Sequence, residues 1–174
     1  MVEAAELLKN DDRVQFLIAG HGNKKGVVEA RIRERNLKNV QQLDFLTGKD
    51  FEQAVAISSC CIVSLEHGLK GTCAPSKFYS YLQGGQPVLA VVDKESYLAK
   101  EVEDEQIGYA VEIGDGKALR DAILAMVENP EECNAMGIRA KELYENQYAY
   151  EVAMEKYRFV ITEKCGITKG QVDE

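Results

Sequence analysis

The sequence predicts an α/β domain: a Rossmann-like parallel sheet of about five strands with helices on both faces, followed by C-terminal helices. Three observations predict it. Short apolar runs alternate with helix-length amphipathic segments from Val14 to Glu112, the strands are apolar on both faces as buried parallel strands are, and from Lys117 onward only helical patterns remain.

Taken in order, Val2 to Lys9 reads as a short helix closed by the turn signal Asn10-Asp11-Asp12, and Val14 to Ala19 as a buried strand stopping at Gly20. A charged helix follows Gly20-His21-Gly22-Asn23 and runs to about Arg35, then a strand covers Val40 to Phe45 and ends at Thr47-Gly48. The next helix spans about Phe51 to Ser58, and the third strand Cys61 to Leu65. A glycine-bearing loop from Glu66 to Ala74 leads to Pro75 and a helix from Ser76 to Gln83, which Gly84-Gly85 breaks. Pro87 opens the strand Val88 to Val92, Ser96 opens a helix to Asp104, and Gly108 to Glu112 is the fifth strand. Helices are then expected from Ala118 to Glu128, from Pro130 at a first turn to about Asn146, and from Tyr150 to Lys164. Residues 1–164 form one domain, and 165–174 a frayed tail.

Composition excludes several function classes. The 174 residues carry 29 acidic and 21 basic side chains, a net charge of -8. Such a balance opposes nucleic-acid binding, which depends on neutralising phosphates with a basic face. The longest uncharged apolar stretch, Ala54 to Leu65, has twelve residues and is interrupted by Ser58, Ser59 and Ser64, short of the roughly 20 a membrane span needs. Acidic residues at Glu3, Glu6, Asp11 and Asp12 leave no secretory signal at the start. The five cysteines are odd in number and without a C-x-x-C pair, so neither a disulfide framework nor a metal site is expected, and the thiols read as reduced and cytoplasmic.

Ligands of parallel α/β sheets sit beyond the carboxyl ends of strands, where loops feed helix N-termini. Two loops qualify. Gly20-His21-Gly22 would let backbone approach a phosphate, although Lys25 stands where G-x-G-x-x-G has its third glycine, and a tight turn without ligand explains the pair equally well. The loop Gly68 to Lys77 is richer, combining two glycines, Thr72, Ser76, Lys70 and Lys77 at a helix start. His21, His67 and Glu66 each follow a strand, but no nucleophile stands at a readable spacing from either histidine, and a base role for Glu66 needs a perturbed pKa. Tyr144, Tyr148, Tyr150, Tyr157 and Phe159 read as helix packing rather than a stacking platform, since Glu145, Glu151 and Glu155 accompany them.

The run from Pro75 to Ala90, Pro-Ser-Lys-Phe-Tyr-Ser-Tyr-Leu-Gln-Gly-Gly-Gln-Pro-Val-Leu-Ala, resembles the PSK-x-x-E-Y-x-x-x-G-x-PV-x-A segment of family 4 glycosyltransferases of the exopolysaccharide type. Phe16 to Gly22, Asn39-Val40, and Asn129-Pro130 with Met136-Gly137 and Ala140 resemble that family's G-x-G, NV and NP…MG…A elements. The likeness covers nearly all of residues 1–164. It implies the C-terminal, nucleotide-sugar-binding half of a GT-B enzyme, which transfers a sugar with retention from a nucleotide diphosphate to a glycan or lipid-linked acceptor. No metal or other cofactor is implied.

Carried over, the donor-binding residues are Gly20, His21, Gly22, Thr72, Cys73, Ala74, Ser76, Lys77 and Ser80. Thr72 to Ser76 would offer backbone N–H groups to the diphosphate. Thr72 and Ser80 stand at the family's two glutamate positions, so the ribose-gripping carboxylate is replaced by a hydroxyl. No catalytic residue is assigned. The chain would begin inside the helix after the family's first strand in this half, leaving that strand, its basic pair and the acceptor domain outside. The isolated chain is then not expected to turn over, and any inner-membrane contact would come through the missing half. Because that strand is the centre of a 3-2-1-4-5-6 order, its loss is expected to close the sheet as 2-1-3-4-5, with the Val14 strand paired to the Cys61 strand. The alternative function is a non-catalytic module of the same fold that binds a protein partner; a nucleotide-sugar epimerase relative is a third reading, equally short of a catalytic half.

Overall fold

A computed structural model describes residues 1–68 and 74–165. The elements run α1 (Val2–Leu7), β1 (Phe16–Ala19), α2 (Lys25–Glu34), β2 (Val40–Leu43), α3 (Gly48–Ala56), β3 (Cys61–Ser64), α4 (Ser76–Gln83), β4 (Val88–Val91), α5 (Tyr97–Asp104), β5 (Gly108–Val111), α6 (Gly116–Glu128), α7 (Pro130–Leu143) and α8 (Tyr150–Cys165), with a π-helical turn, Tyr144–Tyr148, between the last two. The alternation and the all-helical end agree with expectation. Helix starts follow the capping residues in the sequence: Ser96 Oγ accepts the Ala99 N–H at 3.2 Å, Asp115 Oδ1 the Ala118 N–H at 2.8 Å, and Asn129 Oδ1 the Glu132 N–H at 3.3 Å, with Pro130 at the first helical position.

The strands are all parallel, but they do not form one sheet. β1 pairs with β2 in the register Phe16 to Val40, while β3, β4 and β5 form a second sheet with Cys61 opposite Val88 and Val88 opposite Gly108. The expected 2-1-3-4-5 closure is therefore wrong: β1 and β3 share no ladder. That expectation charged the unpaired edges as buried groups, whereas an edge open to water keeps its hydrogen bonds to solvent. Leu17 on β1 is indeed exposed.

Two apolar layers sandwich the larger sheet. On one face Ala4, Ala5 and Leu8 near α1 and Leu119, Ile123 and Met126 of α6 pack with Phe16, Leu89 and Val111, so a single layer underlies both sheets. On the other face Phe78 and Leu82 of α4, Leu98 and Val102 of α5, and Ala140 and Leu143 of α7 cover Val63, Val88 and Ala90. Burying a side chain such as Phe78 or Leu82 contributes about 1.5–3 kcal/mol each, which fixes the helix whose start faces the carboxyl ends of the strands. Buried Asn39 donates its Nδ2 to the Ala5 carbonyl at 2.9 Å, tying the entry of β2 to α1.

Candidate functional site

The carboxyl ends of the parallel strands carry the candidate residues. At Gly20 the chain leaves β1 with φ +137°, a conformation that favours glycine, while the Gly20 N–H still donates to Leu43 O at 3.3 Å. The Gly22 carbonyl accepts the Lys25 N–H at 2.8 Å and so opens α2. A Cβ at either glycine would meet nothing within 4 Å. The loop thus presents its backbone to open space. His21 is exposed and its ring meets Phe45 edge-on at 5.0 Å.

Ion pairs frame this loop. Lys25 holds Asp44 at 2.9 Å and Lys24 holds Glu66 at 2.6 Å. The second pair joins the loop after β1 to the loop after β3. Both carboxyls lie below their ordinary range, chiefly through the hydrogen bond from the neighbouring ammonium. A base poised near neutrality needs the opposite shift, so the Lys24 pair gives no support to a base role for Glu66.

At the start of α4, Pro75 occupies the cap position without any side-chain cap hydrogen bond, and Ala74, Ser76 and Lys77 are exposed. Phe78 N–H donates to Pro75 O at 2.9 Å, and among the described residues no side chain caps the Ser76 and Lys77 N–H groups, the kind of donors an anion takes. Ser80 is half-buried one turn further on, with its hydroxyl donating to Ser76 O at 3.4 Å. Thr72 and Cys73 lie outside the described residues.

Sequence reasoning considered His67 alone, whereas the fold groups it with Asp93 and Glu112. His67 Nδ1 lies 3.1 Å from Asp93 Oδ1, and Glu112 Oε2 accepts the Lys94 N–H at 3.2 Å. One donor atom from each residue lies within 4.8 Å of the others. All three follow the ends of adjacent strands β3, β4 and β5, and that shared position is the signal that finds them.

The aromatic end divides. Tyr144 and Tyr148 pack against the second apolar layer, Tyr148 meets Tyr79 edge-on at 4.8 Å, and its hydroxyl donates to Glu101. Tyr150, Tyr157 and Phe159 are exposed, against the packing role expected of them. Two clefts lie away from the glycine loops: one of about 380 Å³ beside Glu3, Glu6, Arg31 and Arg35, and one of about 460 Å³ beside Tyr79, Tyr148 and Tyr157. Neither contains an expected donor residue.

Comparison with known proteins bears on the family and the fold. The family described as "Glycosyl transferases group 1" matches residues 1–143. A probable glycosyltransferase, WbjE, of Pseudomonas aeruginosa is 23% identical over 157 residues, 90% of this chain and 38% of its own. A poly(ribitol-phosphate) alpha-N-acetylglucosaminyltransferase of Staphylococcus aureus is 26% identical over 167 residues, covering 90% of this chain and 31% of that protein. Among solved structures, a mutant of S. aureus TarM in complex with fondaparinux, alpha-GlcNAc-glycerol and UDP superposes with TM-score 0.74 at 25% identity over 91% of this chain and 31% of its own. Anabaena HepE in complex with UDP has the same fold, with TM-score 0.71 at 15% identity over 91% of this chain and 44% of that one. The chain thus spans about a third of the length of the curated relatives it matches.

Proposed function

Because the chain belongs to the group 1 glycosyl transferases, we propose that it is the nucleotide-sugar-binding domain of a retaining transferase, which moves a sugar from a nucleotide diphosphate to a glycan or lipid-linked acceptor in polysaccharide biosynthesis. The observation that carries this reading is the open backbone at Gly20 and Gly22 after β1, together with the start of α4 after β3, where no side-chain cap is found among the described residues. In this reading the diphosphate lies at the start of α4, its charge met by backbone N–H groups and the helix dipole. Ala74, Ser76 and Lys77 border it together with Thr72 and Cys73, His21 lines the glycine loop, and Ser80 takes one ribose hydroxyl. No resident metal or organic cofactor takes part. The acceptor is held by a separate domain, and transfer occurs where the two halves bring the reactants together. The protein works in the cytoplasm, reaching a membrane only through that other half. No helix among the described residues is long and apolar enough to cross one.

One observation favours a second reading, a non-catalytic module that binds a protein partner: the Ser80 hydroxyl is turned back onto Ser76 O and replaces a carboxylate that would grip two ribose hydroxyls at once. Calorimetric titration with UDP and GDP decides between them. Donor binding predicts saturable heat with a dissociation constant on the order of millimolar, near -4 kcal/mol. Absence of saturable heat from both nucleotides at tens of millimolar overturns the donor reading.

A further inference from the structure

The carboxyl ends of the strands also group side chains that donor binding does not use. Ser64, Val91 and Val111 stand side by side where β3, β4 and β5 end. Counted from that row, Glu112 is one residue on, Asp93 two and His67 three, so three loops bring one imidazole and two carboxylates to one place. His67 Nδ1 stands 3.1 Å from Asp93 Oδ1, and one donor atom from each of the three lies within 4.8 Å of the others. The Lys94 N–H donates to Glu112 Oε2 at 3.2 Å, and an outer hydrogen bond of this kind is what orients a ligating carboxylate. Among the described residues neither Asp93 nor Glu112 pairs with a lysine or arginine. Two carboxylates this close repel one another. A protonated imidazole offsets one of the two charges, whereas a divalent cation offsets both.

We propose that His67, Asp93 and Glu112 form a binding site for one divalent transition-metal cation, with Zn²⁺ the fitting ion. The donor set selects the class: an imidazole nitrogen suits zinc and its transition-metal neighbours, whereas magnesium and calcium take oxygen ligands. Three protein ligands with a fourth position open to solvent is an established zinc arrangement. With bonds of about 2.0–2.2 Å, tetrahedral donors stand about 3.4 Å apart. His67 and Asp93 are already near that separation, and the 4.8 Å limit leaves Glu112 only a side-chain adjustment to make. His67 is exposed and both carboxylates are half-buried, so the ion enters directly from solvent. Once bound, it ties the loop after β3, which leads to α4, to the ends of β4 and β5. The site needs no donor, and its ion holds loops together rather than entering sugar transfer.

The probe is Zn²⁺ alone, added without chelators to the 174-residue chain carrying isotope-labelled histidine, with the imidazole nitrogens followed by NMR. The chain has two histidines, so His21 is an internal reference, and a readout on the rings does not respond to zinc held by thiols alone. One equivalent of ion should move the His67 ring nitrogens to saturation, with a dissociation constant on the order of micromolar, and leave those of His21 in place. Asp93→Asn and Glu112→Gln should each weaken binding about tenfold or more, with the amide spectrum showing that the variant is folded; should one fail to fold, the other and the parent's titration decide. Mg²⁺ at the same concentration should move neither ring. No saturable shift at His67 with millimolar Zn²⁺, equal shifts at both histidines, undiminished affinity in either folded carboxylate variant, or an equal response to Mg²⁺ each overturns the proposal.

Discussion

Gly137→Ala sets two opposing effects against each other. Gly137 lies within α7, where alanine is favoured over glycine by up to about 1 kcal/mol. A Cβ there, however, would stand 2.5 Å from the Gly85 carbonyl oxygen and 3.4 Å from Pro87 Cδ. The obstacle is backbone at the turn between α4 and β4, so no rotamer relieves it. The helix must retreat by close to 0.9 Å to bring the first contact from 2.5 to 3.4 Å. Retreat at this point also loosens Met136 and Ala140, which serve the two apolar layers. Overpacking of this kind costs up to about 3 kcal/mol, so the net loss is about 2 kcal/mol, or a midpoint lower by roughly 4–8 °C in a chain of this size. Thermal unfolding followed by circular dichroism measures it. Gly26→Ala in α2 is the control, since a Cβ there meets nothing within 4 Å; it should leave the midpoint unchanged or raise it. If Gly137→Ala matches that control, α7 does not press on the turn at Gly85, and the packing argument fails.

Three further outcomes follow from the same geometry. Burial raises the Glu101 carboxyl above its ordinary range even though Tyr148 donates to it; a raised carboxyl stabilises below the unfolded value near 4.5 and loses that contribution as pH rises through the folded value. Glu101→Gln should therefore raise the unfolding midpoint, relative to the parent, more at pH 7 than at pH 4, and an advantage that is larger at pH 4 contradicts the assignment. The thiols of Cys60 and Cys61 are pushed up to about 12 by burial, so iodoacetamide at pH 8 should leave both unmodified in the native chain and alkylate both in denaturant, as read by peptide mass mapping. For the donor site, Gly22→Val should abolish UDP heat while leaving the unfolding midpoint within about 1 °C, because the side chain enters open space, and Ser80→Glu should tighten binding about tenfold by restoring a bidentate acceptor, near 1.4 kcal/mol. No change from either variant refutes the donor placement.

The local elements were legible because each has a local cause. Ser96 and Pro130 mark helix starts through hydrogen bonds and ring geometry confined to one turn, whereas Gly137 is required by contact with a turn some fifty residues away, which no local pattern shows. The grouping of His67 with Asp93 and Glu112 was not legible, since it depends on strands β3, β4 and β5 lying side by side in register. Tyr157 and Phe159 misled for a related reason: α8 packs mainly on the π-helical turn before it, and an apolar residue says nothing by itself about which surface is present to cover it.

The split sheet extends that point. In β4, where the neighbours on both edges are in place, Val88, Leu89 and Ala90 are all fully buried. The sequence of β1 is equally apolar, yet Leu17 is 36% exposed and Ile18 is only half-buried; in β3, Ile62 is half-buried beside the buried Val63. Pattern alone gives β1 and β3 the signature of strands covered on both faces and paired on both edges. The structure gives each of them one pairing partner. The same half-burial marks the other strands with one paired edge, at Val40 and Leu43 of β2 and Tyr109 and Ala110 of β5, and is nearly absent from the central strand of the larger sheet, so burial here follows the number of paired edges rather than the apolar pattern.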